Sequence, residues 1–198
     1  MKVDIEEKIK SHEKYVQTLG KQGEELILDE FQFENENLVN VNLSESSLTD
    51  CSFENLKLEN VDFYGANLYS SSFASAQIIQ GGYVKSKADY TFFARANINQ
   101  TNFLKAELPE TDFSDSTIKN SSFVSADLRD ANFSNSLLEN VDFKYTWFKD
   151  TILKNSTIKN PINLNEAVIK SINIGTVEEP IILEKEQAVQ WMIDNSNK

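Results

Sequence analysis

One cysteine and one histidine stand in this 198-residue chain. A lone Cys51 permits no disulfide within a monomer, which excludes a disulfide-stapled scaffold. A lone His12 leaves no nucleophile–histidine–acid set, and no Cys/His cluster is present to hold a metal. No glycine-rich loop of the phosphate-cradling kind occurs. Long apolar runs are missing as well: the stretch Met1 to Glu7 holds none, so neither a signal peptide nor a membrane span is expected, and a reduced cytoplasm is the natural compartment. Bases are scarce. Against 31 Asp and Glu stand 19 Lys and Arg, a net charge of −12. That balance argues against direct binding to nucleic acid or to an anionic membrane, and it permits a basic protein partner. No enzyme activity, cofactor or metal is expected.

What the chain does contain is a period of five. Stepping from Leu28 to Ile158 meets 27 positions, of which only Ala88 is neither Leu, Ile, Phe nor Tyr. Chance would place about eleven apolar residues there in a chain that is 40% hydrophobic. The stretch Ala126 to Phe143 shows the unit: a small residue, a polar one (often Asp or Asn), a large apolar one, then two mostly polar ones. A longer period of twenty lies inside it. Phe33, Phe53, Phe73, Phe93, Phe113 and Phe133 form one series, and Leu43, Phe63, Tyr83, Phe103, Phe123 and Phe143 a second. The two series between them are aliphatic. An internal repeat of this regularity outranks local propensity in assigning a fold.

These residues resemble the pentapeptide-repeat family, whose pattern is A-(D/N)-L-x-x, over about two thirds of the chain. The resemblance implies an all-β solenoid, a right-handed quadrilateral β-helix with four repeats to each 20-residue coil and about seven coils. Each coil would bury its inward residues against the coils above and below. At a strand spacing of about 4.8 Å the rod core would run roughly 32 Å. Residues 1–27 read as an N-terminal capping helix and loop, and 28–175 as the β-helix. Pro161 shifts the frame by one, after which Leu164, Ile169 and Ile174 continue the repeat. Residues 176–198 read as a C-terminal loop and short helix.

The N-terminal helix is expected over residues 3–19, with Ile5, Ile9, His12, Val16 and Leu19 on one stripe and Gly20 and Gly23 stopping it. Its role is to cover the open end of the solenoid. His12 there is packing rather than catalysis. At the other end a helix over Glu184–Asn195 carries Ala188, Val189, Trp191, Met192 and Ile193. Several members of the family dimerise through such a helix, so the resemblance marks Trp191 and Met192 as dimer candidates. The irregular coil is residues 79–92, with Gly81-Gly82 and Ala88 in place of a core Leu. Either a bulge forms there, with Tyr90 or Phe92 filling the gap, or the packing is repaired within register. No length is inserted, which favours the repair.

Three outward columns follow from the twenty-residue period. Asn40, Asn60, Gln80, Gln100, Asn120, Asn140 and Asn160 suit positive-φ turns and amide ladders, a structural role. Glu30, Asp50, Glu110, Asp130 and Asp150 form an acidic stripe, interrupted by Ser70 and Tyr90. Tyr64, Val84, Leu104 and Val124 form an apolar stripe, to be covered by a terminal segment or by a partner. Lys144, Lys149, Lys154 and Lys159 ring the C-terminal coil, where they balance the tail acids Glu178, Glu179, Glu184 and Glu186.

Binding module is the reading these features support. The family resemblance implies one sharp form of it, an acidic DNA mimic that occupies the DNA-binding saddle of DNA gyrase or another type II topoisomerase. A duplex carries one charge per roughly 1.7 Å of axis, whereas one acidic column offers at most one per about 4.8 Å. The alternative is an immunity or regulatory module that uses the Tyr64–Val124 stripe on an unrelated protein.

Overall fold

In the computed structural model, residues 5–34 and 37–196 are described. The chain winds as a four-sided parallel β-solenoid of about seven coils, with each residue facing its counterpart twenty positions on. One wall is a seven-stranded parallel sheet: Leu38–Val39, Lys57–Glu59, Gln77–Ile79, Asn97–Asn99, Thr117–Lys119, Leu137–Glu139 and Thr157–Lys159. Its register sets Leu58 beside Ile78, Ile78 beside Ile98, and Ile98 beside Ile118. The other walls are largely single bridges at the same spacing, such as Asp62 to Gly82 and Phe92 to Asp112.

The five-residue unit explains the coil. The central residue points inward, and the small residue two before it is buried in the space that remains. Many of those small residues are also rungs. Ser71, Thr91, Thr111 and Thr151 each donate a hydroxyl to a carbonyl 23 positions earlier, on the coil below. On the walls built of single bridges, the Asp or Asn before the centre has its own task, which is to cap the amide after the centre. The side-chain oxygens of Asp62, Asn102, Asp112 and Asp142 accept that N–H at 2.9–3.0 Å. The corner falls on the fifth residue. All 26 described corner residues from Glu30 to Asn160 have positive φ, and Gly65 is the only glycine among them. None is β-branched and half are Asn, Asp or Gly, the residues that tolerate a left-handed backbone best.

Two columns of rings fill the interior. Phe33, Phe53, Phe73, Phe93, Phe113 and Phe133 stack at centroid distances of 4.4–4.9 Å. The second column, from Phe63 to Phe143, meets the first edge to face at 5.7–6.1 Å. Edge-to-face contact suits the aromatic quadrupole, and the coil spacing enforces the stacking along each column.

No bulge forms at residues 79–92. The ladder runs through in register, Asn67 to Lys87 and Lys87 to Glu107. Tyr90 and Phe92 point outward, 41% and 47% exposed, and fill no gap in the core. The repair lies in three inward positions of one coil. Ala88 and Gly81 are smaller than their counterparts, and Tyr83 is larger than the Phe of its column. A Cβ on Gly81 would sit 2.9 Å from both Ile78 and the Tyr83 ring, so a side chain there would crowd both. The Tyr83 hydroxyl is left without a partner among the described residues.

The ends are closed by two helices. Helix α1 (Ile5–Gln17) buries Ile5, Ile9 and His12. Leu19 leaves the expected stripe, because the helix has already ended and Leu19 turns outward at φ 52°. Gly23 has no room for a side chain, since a Cβ would stand 2.0 Å from the Ser11 carbonyl. At the far end the offset becomes 21 residues, pairing Phe148 with Ile169 and Ile152 with Asn173, as a one-residue frame shift requires. Strand Ile182–Glu184 then returns antiparallel against Ser171–Asn173, a strand that the repeat pattern does not foretell. Helix α2 (Lys185–Asn195) follows and buries Ala188 and Met192.

Candidate interaction surfaces

The coil geometry turns each outward sequence column into a line of side chains along the rod, so charge can be read wall by wall. The wall whose inward centres run from Leu28 to Phe148 is the acid wall. Its outward positions carry nine carboxylates (Asp29, Glu30, Asp50, Asp89, Glu107, Glu110, Asp127, Asp130 and Asp150) against Lys87, Arg129 and Lys149. The opposite wall, the seven-stranded sheet, presents Glu59 and Glu139 with Lys57, Lys119 and Lys159, and is rich in amides. The rod is therefore polarised across its axis.

Of the acidic stripe, Glu110, Asp130 and Asp150 are brought together on three consecutive coils. Glu30 and Asp50 form a separate pair toward the N-terminal end, beyond Ser70 and Tyr90. Partial burial, then the neighbouring Asp150 and Glu110, hold the Asp130 carboxyl above its ordinary pKa. Glu110 accepts a 2.8 Å hydrogen bond from the Tyr90 hydroxyl. Asp150 accepts one from Ser171 at 2.7 Å and lies 4.0 Å from Lys149. Arg129 is paired with Asp127 beside the stripe.

Tyr64, Val84, Leu104 and Val124 lie on consecutive coils of one wall and are half-buried. Lys85 borders the stripe, donating to the Tyr64 hydroxyl at 3.0 Å and lying 5.3 Å from its ring centroid. The terminal helices pack at the ends of the rod, α1 through His12 on Ser44 and α2 against the last strands. The amide column forms a ladder in parts. Asn60 bonds Asn40, Asn140 bonds Asn120 and Asn160 bonds Asn140, while Asn120 reaches Asn99 in place of Gln100.

At the C-terminal end, Met192 is 0% exposed and plugs its own last coil, and Trp191 is partly buried against the core. A contact with another chain at this end would fall first to the exposed Ile181, Ile182 and Ile193. In the lysine ring, Lys144 pairs with Glu166 at 3.3 Å, not with an acid of the tail.

Outward aromatics are the surface feature that the repeat reading passes over. Tyr69, Tyr90, Phe92, Tyr145 and Trp147 are all 41–54% exposed. Their signal was an aromatic residue at a position the five-residue unit reserves for polar ones. Among the described residues, no group of three or more His, Cys, Asp or Glu is placed to hold a metal ion, and no helix is long and apolar enough to cross a membrane.

A family model described as pentapeptide repeat region matches residues 57–133, and one described as pentapeptide repeats (8 copies) matches 118–155. The chain belongs to the pentapeptide-repeat family. Among solved structures it is similar to QnrB1, a plasmid-mediated fluoroquinolone resistance protein, in a trypsin-treated form. The identity is 12%, over 73% of this chain and 77% of that one, with a TM-score of 0.46. It is also similar to HetL, involved in heterocyst differentiation regulation in the cyanobacterium Nostoc, at 12% identity over 81% and 94% of the two chains, TM-score 0.30. A pentapeptide repeat protein of the Arabidopsis thaliana thylakoid lumen aligns at 17% identity over 66% and 67%, TM-score 0.29. No curated protein matches the chain.

Proposed function

We propose that this chain is a non-enzymatic protein-binding rod of the cytoplasm whose acid wall docks on a basic surface of its partner. The observation that supports this reading is the Glu110–Asp130–Asp150 stack. Three carboxylates on consecutive coils repel one another, and that repulsion adds to partial burial in holding the Asp130 pKa above its ordinary value. A cationic surface laid along the column would relieve that repulsion. The sharpest form of the reading is a DNA mimic that occupies the DNA-binding saddle of a type II topoisomerase such as DNA gyrase. A homodimer joined at the C-terminal end, through Trp191 and the exposed isoleucines around it, belongs to the same reading.

The test is gyrase supercoiling titrated with the purified protein, beside a variant carrying Glu110→Lys, Asp130→Lys and Asp150→Lys. Lysine already occupies corner positions at Lys85 and Lys105, so the backbone accepts the changes. Inhibition or quinolone protection by the wild type, lost in the variant, is the expected result. No effect at a large excess over the enzyme removes gyrase as the partner. A second reading, an immunity or regulatory module, is favoured by the half-buried Tyr64–Val124 stripe. There Leu104→Lys would abolish binding to the cognate protein and the acid-wall variant would not.

A further inference from the structure

The interruption of the acidic stripe is itself a patterned site. Tyr69, Tyr90 and Phe92 stand at one corner of the rod, 41–47% exposed, with the Tyr69 and Tyr90 rings 5.5 Å apart at 67°. Each lies one coil below a carboxylate in its own column: Tyr69 below Asp89, Tyr90 below Glu110, Phe92 below Asp112. The Phe92–Asp112 bridge and the Tyr90–Glu110 hydrogen bond fix two of these pairings. One coil further down the same columns hold Thr49, Ser70 and Ser72. Small residues below and acids above make the three rings a ledge with a negative rim.

Other outward aromatics of the rod, exposed or half-buried, carry a cation from their own chain. Lys85 lies over Tyr64, Arg129 over Trp147 and Lys144 over Tyr145. Among the described residues, the cation–ring contacts fall on those three rings and not on the ledge. A ring face attracts a cation through its quadrupole, and nearby carboxylates reinforce the pull. Tyr90 is also an aromatic residue held at φ 57°, a corner where Asn, Asp and Gly sit with less strain.

We propose that the Tyr69–Tyr90–Phe92 ledge is the anchor point for an arginine side chain of a protein partner. The planar guanidinium stacks on the rings while its N–H groups reach the carboxylates above, a match that a lysine ammonium meets less completely. This deepens the acid-wall reading, because it makes the centre of that wall an anchoring pocket and its flanks the electrostatic rim.

The full-length protein is titrated with the peptide Ac-Gly-Arg-Gly-amide, and the aromatic ring resonances are followed by NMR. The Tyr69, Tyr90 and Phe92 rings should shift along one saturating curve, with Tyr145 and Trp147 unmoved. Ac-Gly-Glu-Gly-amide should shift none of them. The triple variant Tyr69→Thr, Tyr90→Ser, Phe92→Ser takes residue types from the coil below in the same columns. It lacks the reporting rings, so binding to it and to the wild type is compared through the backbone amide resonances of Asp89, Glu110 and Asp112, and it should bind at least tenfold more weakly. Uniform small shifts over all exposed rings would overturn the proposal, as would a response to maltoheptaose in place of the arginine peptide. The two readings separate cleanly. Gyrase inhibition retained by the ledge variant sinks the anchor and leaves the acid wall. Ledge shifts with no effect on gyrase leave the anchor and sink that partner.

Discussion

At the N-terminal end of the rod, α1 closes the first coil with an imidazole, whereas α2 closes the last coil with a thioether and a methyl group. His12 spends both ring nitrogens: Nε2–H donates to the Ser44 carbonyl and Nδ1 accepts from the Leu26 N–H, each at 3.0 Å. Around it, Glu13 accepts from the Asn42 N–H and Ser11 from the Glu24 N–H. The far end has Ala188 and Met192, each fully buried, on a returning antiparallel strand. Both devices answer the same problem, an open stack of backbone and rings. The polar plug is directional, since it fixes the helix by named atoms, and it titrates. The apolar plug packs by side-chain area, with the Lys185 N–H bonded to the Lys170 carbonyl at its base, and its side chains have no proton to gain or lose.

The sharpest break is Met192→Asp. It leaves a buried charge with no partner, and should cost about 3–5 kcal/mol at that end. Hydrogen exchange would show the strands Thr151–Ile152 and Ser171–Asn173 losing protection while the coils near Leu28 keep theirs. His12→Ala comes next. It orphans the Leu26 N–H and the Ser44 carbonyl together, about 2–4 kcal/mol. Here the opening is confined to the N-terminal coils, and Cys51, buried with its thiol pKa pushed up by that burial, becomes a faster target for a thiol reagent.

A smaller effect separates the ends by pH. Burial holds the His12 pKa below its ordinary value, opposed in part by the Ser44 carbonyl and by Glu25 and Glu13. The opened state therefore takes up the proton first as pH falls. The stabilisation is complete above the ordinary histidine value and declines as pH drops from there toward the lowered one, by at most about 1.4 kcal/mol per pH unit. Exchange at the Leu26 amide should follow this slope, and His12→Ala should flatten it. Protection at the C-terminal strands should show no matching step. The smallest expected change lies between the ends. Tyr83→Phe removes the orphaned hydroxyl and should be neutral or stabilising by about 1 kcal/mol; a loss of several kcal/mol would mean that the hydroxyl has a partner.

The middle of the rod was legible because its physics is periodic. Twenty-seven inward positions at one spacing leave no other fold that buries them, and the polar corners follow from the left-handed backbone that each turn requires. Places where two local signals compete were harder to read. Ala88-Asp89-Tyr90 imitates the repeat two residues out of phase, yet the pairs Asn67–Lys87 and Lys87–Glu107 hold that strand from both sides. Ladder pairing on two coils outweighs one motif. The returning strand Ile182–Glu184 was invisible for a related reason: its partner lies outside the parallel scheme, and three residues carry no period. The aromatic ledge was missed because its residues sit in three different columns. Only the corner brings Tyr69, Tyr90 and Phe92 to one place.

The fixed offset of twenty has a consequence for how such a chain can change in length. Every rung, ring stack and amide bond joins a residue to one coil up or down, so a gain or loss of twenty residues keeps all columns in phase and alters only the count of coils. A change by another multiple of five keeps the centres inward but moves them to a different wall, and any change that is not a multiple of five turns inward residues out along everything downstream. The single-residue change is absorbed just after Ile162, which still pairs with Asp142 at an offset of twenty, and only a short run of coil and a cap follow it. Growth by whole coils would lengthen the acid wall without disturbing either plug, so the reach of this rod along a partner can be reset independently of how its ends are sealed.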